Sequence, residues 1–145
     1  AKSPQRETRV AVVGKYIVRQ TKSIVEQRAK NAAHYDTGLK DVRGVRIPPR
    51  NPRVKHVYLL YVLFAERRDE LLKYCIERGI EAKVHYPIPL YQQKALAQYG
   101  YKAGAFPVTD RHAKECITFP VDQHLSRAEM DYVIQTVRNF YAGKN

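Results

Sequence analysis

The sequence has no tryptophan, one methionine and only two cysteines in 145 residues. Two thiols, Cys75 and Cys116, are too few for a disulfide framework. Cys75 falls in an apolar helical stripe and Cys116 in a strand-like run, so both read as small buried hydrophobes. There is no CxxC, no HExxH and no histidine pair at ligand spacing, so no metal site is expected. No apolar run approaches the ~20 residues of a membrane-spanning helix. The start Ala1-Lys2-Ser3-Pro4-Gln5-Arg6 is basic but leads into no signal-type apolar core. A cytoplasmic protein with no membrane partner is expected. Negative charge is also scarce, with 14 acidic against 26 basic side chains and a formal net charge of +12.

What is present is the composition of an ordinary globular domain, 44% hydrophobic and 28% charged, at a length that suits one compact unit. The basic residues crowd the first third (Lys2, Arg6, Arg9, Lys15, Arg19, Lys22, Arg28, Lys30) and the loop carrying Arg43, Arg46, Arg50, Arg53 and Lys55. Such a surplus attracts phosphate, whether from nucleic acid or from a small anionic substrate. A solvated helix face explains the same run without a ligand. Charge is the sole support for nucleic acid, which is therefore not the expected partner.

Apolar residues at Val10, Val13, Ile17, Ile24, Ala32, Tyr35 and Leu39 keep mostly three- and four-residue steps, predicting one long helix from about residue 7 to 39. Gly14 interrupts it and would suit a close contact, and Val10-Ala11-Val12-Val13 could alternatively form a strand. Pro48, Pro49 and Pro52 exclude helix from the following turn region, which holds an extended piece at Val45-Arg46-Ile47. Residues 54–64 read as a central strand covered on both faces. A helix follows from about Arg67 with Leu71, Leu72, Cys75 and Ile76 inward and a left-handed cap at Gly79. A second strand is expected over 81–86, a short helix over 90–99, a helical turn over 110–115 and a third strand over 116–119. Ser126 and Glu129 make a capping-box pair that starts a final helix running to about Tyr141, with Met130, Val133, Ile134 and Val137 inward. The order predicts an α/β fold: a long N-terminal helix, then a sheet of three or four strands with helices packed on it.

One segment looks built for a site. In Val84-His85-Tyr86-Pro87-Ile88-Pro89-Leu90 a strand ends in His-Tyr and breaks on two prolines, which holds both side chains at a fixed edge. Strand ends are where such folds place ligand contacts. His85 can donate or accept, and Tyr86 can bind a hydroxyl or phosphate. By residue type alone, a structural His85 with Tyr86 packed beneath the loop explains the segment as well. His56 is expected at the mouth of the long strand; His34, His112 and His124 are expected on the surface. The eleven tyrosines suggest nucleic-acid stacking, but Tyr35, Tyr58, Tyr132 and Tyr141 fall on apolar stripes and read as core or rim.

The segment Gly79-Ile80-Glu81-Ala82-Lys83-Val84-His85-Tyr86-Pro87-Ile88-Pro89-Leu90 resembles the G-I-x-x-x-V-H-Y-P-x-P-L-H stretch of the DegT/DnrJ/EryC/StrS aminotransferases. Glu26-Gln27-Arg28, Asn31-Ala32 and Tyr35-Asp36 are similar to that family's E-R-R-x-x-N-A-x-Y-Y helix. Gly44-Val45-Arg46-Ile47-Pro48-Pro49 and His56-Val57-Tyr58 resemble its next two motifs, and Gly100-Tyr101, Phe106-Pro107-Val108, Thr118-Phe119-Pro120 and Leu125-Ser126 its closing ones. The sequence departs from the pattern at Leu59 and Tyr91, each in place of a histidine, and at Ser3, in place of an asparagine that helps hold the cofactor phosphate.

The resemblance implies the C-terminal small domain of a fold-type I pyridoxal-phosphate (PLP) enzyme, a homodimer that transfers an amino group from an amino acid to a keto sugar nucleotide. It places the Schiff-base lysine in an upstream large domain, and His85 and Tyr86 on the sugar nucleotide. Residues 1–10 read as an atypical N-terminal segment and 11–145 as the small domain. Without the large domain the chain is expected to be inert, with no catalytic residue, no bound cofactor and no metal of its own. The alternative is a stand-alone, non-catalytic binding or regulatory module for anionic ligands or nucleic acid.

Overall fold

The computed structural model describes residues 4–143, with side chains from residue 11 onward. The long helix α1 (Pro4–Leu39) runs without a break, so Val10–Val13 is helical rather than a strand. Its C-terminal half is anchored: Asn31, Ala32, Tyr35 and Leu39 are buried, and α4 packs against it. Val13 and Ile17, expected to face inward, are instead 57% and 51% exposed, with Val12, Tyr16 and Val18 beside them. Residues 11–23 are exposed throughout apart from the half-buried Gly14. Gly14 makes no close contact, since a Cβ there would meet nothing. The close approach is at Gly38, where a Cβ would lie 2.6 Å from Ile134 Cδ1.

Three strands form one antiparallel sheet in the order β1 (Val45–Arg46), β2 (Tyr61–Ala65), β3 (Cys116–Phe119). The long strand expected from residue 54 begins only at Tyr61, although β2 is central as expected. Both of its neighbours run out there. Pro48, Pro49 and Pro52 remove donors beyond β1, and Pro120 ends β3 just after the Tyr61–Phe119 pair. Upstream, the chain takes a different bond: the Tyr58 N–H donates to His56 Nδ1 at 3.0 Å and Tyr58 adopts φ 48°. Val54, Val57 and Leu59 are left exposed.

The expected strand over 81–86 is reduced to a single bridge beside β3. Lys83 and Thr118 exchange N–H···O bonds of 3.0 and 2.8 Å, and the chain then departs at His85-Tyr86 toward two prolines that cannot donate. The expected helix over 90–99 is two 3₁₀ turns, Leu90–Gln92 and Lys94–Tyr99, split by an extended Gln93.

The remaining helices follow their sequence signals closely. Helix α2 (Arg68–Ile76) ends in a Schellman motif: Ile80 N–H donates to Cys75 O, Gly79 N–H donates to Ile76 O, and Gly79 takes φ 74°. Leu71 and Cys75 are buried, Leu72 is half-buried, and Ile76, expected inward, is 55% exposed because this short helix buries a narrow stripe. Helix α3 (Pro107–Glu115) begins earlier than expected, with proline in its first turn. Helix α4 (Arg127–Tyr141) carries the complete Ser126–Glu129 capping box and buries Met130, Val133, Ile134 and Val137.

The sheet separates two environments. Tyr61, Leu63 and Ala65 of β2, with Ile117 and Phe119 of β3, enter the core with α1, α2 and α4 residues. The alternate residues, Val62 and Phe64 paired with Thr118 and Cys116, form the other face, against which α3 packs. That second face carries the site.

Candidate functional site

Val62, Phe64 and Cys116 make the sheet wall of a cleft of about 300 Å³. Thr109 and His112 of α3 form a second side, and His85, Tyr86 and Leu90 a third. The cleft is thus built where the 83–90 segment leaves β3, at the place the two prolines indicated. A second cleft of about 250 Å³ lies on the other side of His85, lined by Arg28, Leu59, Lys83, Thr118 and Asp122 among others. His85 lines both.

His85 is half-buried and held in place. Its Nδ1 lies 2.9 Å from Thr118 Oγ1, and that same hydroxyl donates to the Lys83 carbonyl at 3.0 Å. The Cys116 thiol donates weakly to the His85 carbonyl at 3.7 Å. Tyr86 follows across a cis peptide bond and is 73% exposed, so it does not pack beneath the loop. Its ring stands edge-on to His85 with centroids 5.6 Å apart. The pair offers one ordered imidazole and one accessible phenol, a set that can hydrogen-bond hydroxyls and stack on a ring.

The other histidines divide. His56 is exposed near the start of β2 and stacks on Tyr58 at 4.2 Å, and His124 is exposed as expected. His34 is not a free surface residue: its Nε2 lies 2.6 Å from Asp131 and ties α1 to α4. His112 is half-buried, packs on Phe64 at 4.4 Å and lines the first cleft. Sequence reasoning passed over His112, Phe64 and Thr118. For Thr118 and Phe64 the signal existed, since alternation along two adjacent strands puts them on the face opposite the core; His112 needed the packing of α3.

Second-layer contacts fix the walls. Asn31, 1% exposed on α1, donates to the Asp122 carbonyl at 2.7 Å and accepts from Gln27, holding the loop beside the second cleft. Arg28 donates to Gln123 and to the Tyr58 carbonyl. Arg68, 7% exposed, donates to the carbonyls of Ala113 and Cys116 at 3.1 and 2.8 Å, clamping the α3–β3 junction. Asp36 accepts two bonds from Arg50 and one from Tyr61, and burial followed by that carboxylate bond pushes the Tyr61 phenol well above its ordinary range. Tyr91, at a position where a histidine was expected, donates to Asp110 at 2.6 Å and joins the first 3₁₀ turn to α3. Ser3, the counterpart of the phosphate-binding asparagine, lies outside the described residues.

Among the described residues, no group of histidine, cysteine and carboxylate side chains is arranged to hold a metal, and no helix is long and apolar enough to cross a membrane. No lysine lines the first cleft. Lys83 lines the second, but its ammonium is paired with Glu81 and exposed.

Residues 7–138 match the DegT/DnrJ/EryC1/StrS aminotransferase family. The chain is 38% identical over 112 residues to the erythromycin biosynthesis sensory transduction protein EryC1 of Saccharopolyspora erythraea, covering 77% of this chain and 31% of that one. It is 32% identical over 114 residues to the dTDP-3-amino-3,4,6-trideoxy-alpha-D-glucose transaminase of Streptomyces venezuelae, covering 79% and 30%. The crystal structure of S. venezuelae DesV in complex with a ketimine intermediate superposes with a TM-score of 0.87 at 30% identity, over 90% of this chain and 35% of that one. The chain spans about a third of the length of these relatives. It has the fold of the small domain of a fold-type I PLP aminotransferase, and it belongs to the DegT/DnrJ/EryC1/StrS aminotransferase family.

Proposed function

We propose that this chain is the substrate-side portion of a PLP-dependent aminotransferase that moves an amino group from an amino acid to a keto sugar carried on a nucleotide. In this reading His85 and Tyr86 contact the sugar nucleotide, and an upstream large domain holds the cofactor. The observation that carries it is the cleft itself: an ordered imidazole and an exposed phenol at a strand end, with no amine of their own to hold the cofactor. PLP would supply the electron sink for amino transfer. The chain's own residues orient the sugar.

Two features support an absent partner region. The match covers about a third of each relative. In addition, Val12, Val13, Tyr16, Ile17 and Val18 expose an apolar helical patch of a kind that a partner surface ordinarily covers. Assembly as a homodimer in the cytoplasm is part of the same proposal. The first ten residues are read as atypical, and residues 11–145 as the small domain.

The test is direct. Mixed with PLP, the 145-residue chain should develop no Schiff-base absorbance that persists through dialysis, whereas the full parent reading frame should retain it. A lasting chromophore on the chain alone would overturn the assignment. In the parent enzyme, His85→Ala and Tyr86→Phe should raise KM for the keto sugar nucleotide more than KM for the amino donor.

A further inference from the structure

We propose that Thr118 is a positioning residue for His85: its hydroxyl holds the neutral imidazole in the Nδ1–H tautomer and leaves Nε2 as an acceptor for a sugar hydroxyl. The second half of this statement rests on the reading of His85 as a substrate contact; the first half does not.

The argument is a count of hydrogens. Thr118 Oγ1 has one proton, and a carbonyl can only accept. The 3.0 Å bond to the Lys83 carbonyl therefore consumes the threonine's donor. At its 2.9 Å contact with His85 Nδ1 the hydroxyl must then accept, so Nδ1 carries the hydrogen. In a neutral ring the lone pair is consequently on Nε2, which has no hydrogen-bond partner among the described residues.

The relay cannot easily turn round. Thr118 is 3% exposed on β3, and its main chain is paired on both sides, with Val62 of β2 and with Lys83. Reversing the hydroxyl toward Nδ1 would leave the Lys83 carbonyl with the Thr118 N–H as its one remaining donor. An acceptor at Nε2 selects a donor on the ligand, and a sugar ring offers hydroxyls.

The tautomer can be read without substrate, from a long-range ¹H–¹⁵N correlation spectrum of the ¹⁵N-labelled chain at alkaline pH, where imidazoles are neutral. His85 should show a protonated, pyrrole-type Nδ1 and a pyridine-type Nε2. Thr118→Ser should keep that pattern. Thr118→Val, nearly isosteric and suited to a strand, should shift His85 toward the Nε2–H form while the other four histidines stay unchanged. An Nε2–H ring in the unaltered chain overturns the proposal, even if the valine variant does not fold. An unchanged His85 spectrum in a folded valine variant overturns it as well.

The full parent enzyme separates this from the functional reading. There Thr118→Val should raise KM for the keto sugar nucleotide roughly three- to tenfold, with kcat within about twofold and with serine restoring the original value. A tautomer that shifts with no change in KM would uphold the positioning role and overturn His85 as a substrate contact.

Discussion

At the scale of single residues, the site depends on polar side chains that leave the surface to satisfy backbone groups. Arg68 is the strongest example, because its buried guanidinium bonds the carbonyls of Ala113 in α3 and of Cys116 at the start of the strand that carries Thr118. Arg68→Ala would strand both carbonyls and should cost about 2–4 kcal/mol, read from the urea midpoint. Cys75 gives a pH-dependent check. Burial pushes its thiol up to about 11, so the native state favours the protonated form. That preference stabilises the fold fully below the ordinary thiol value of ~8.5 and is lost as pH rises through the folded value. Stability should therefore fall between about pH 9 and 11, and Cys75→Ala should flatten that part of the curve. Labelling by a thiol reagent at neutral pH should be slow at Cys75 until the chain unfolds.

Individual elements are held by local devices whose worth can be weighed. At Gly38 two effects oppose each other. Alanine would gain up to ~1 kcal/mol of helix propensity. Its Cβ, however, would lie 2.6 Å from Ile134 Cδ1, and overpacking of this kind costs about 1–3 kcal/mol. The clash should win, so Gly38→Ala should lower the melting temperature. Adding Ile134→Val, which deletes that Cδ1, should recover part of the loss in a double-mutant cycle. The α4 capping box joins Ser126 and Glu129 in both directions, and Ser126→Ala should cost about 1 kcal/mol by denaturant unfolding.

For the molecule as a whole, α1 is two structures in one helix. From Asn31 to Leu39 it is part of the core, whereas Val12 to Val18 stand out in solvent. Amide exchange should divide accordingly, with protection high over residues 31–39 and low over residues 12–20. A helix patterned for burial along its full length but buried along half is what a missing packing surface leaves behind. In the full parent protein, residues 12–20 should become protected. Persistent fast exchange there would argue against an upstream domain packing on this face.

Sequence alone determined the features that rest on short-range chemistry. Glycine at a helix end, serine three residues before glutamate, and prolines after His85-Tyr86 each act within one turn of chain, so the Gly79 cap, the Ser126 capping box and the break at the site edge were all legible. So were the family motifs, because they are fixed by residue order. Partners distant in sequence decided the rest. Residues 54–60 have the composition of a strand but no neighbour to pair with, since prolines end both adjoining strands. Ile17 has the spacing of a core residue but is half exposed. His85 was visible as a candidate, but its orientation depends on a hydroxyl 33 positions away, brought within 2.9 Å by the pairing of Lys83 with β3. A sequence specifies which groups can bond, and only the tertiary structure settles which of them meet.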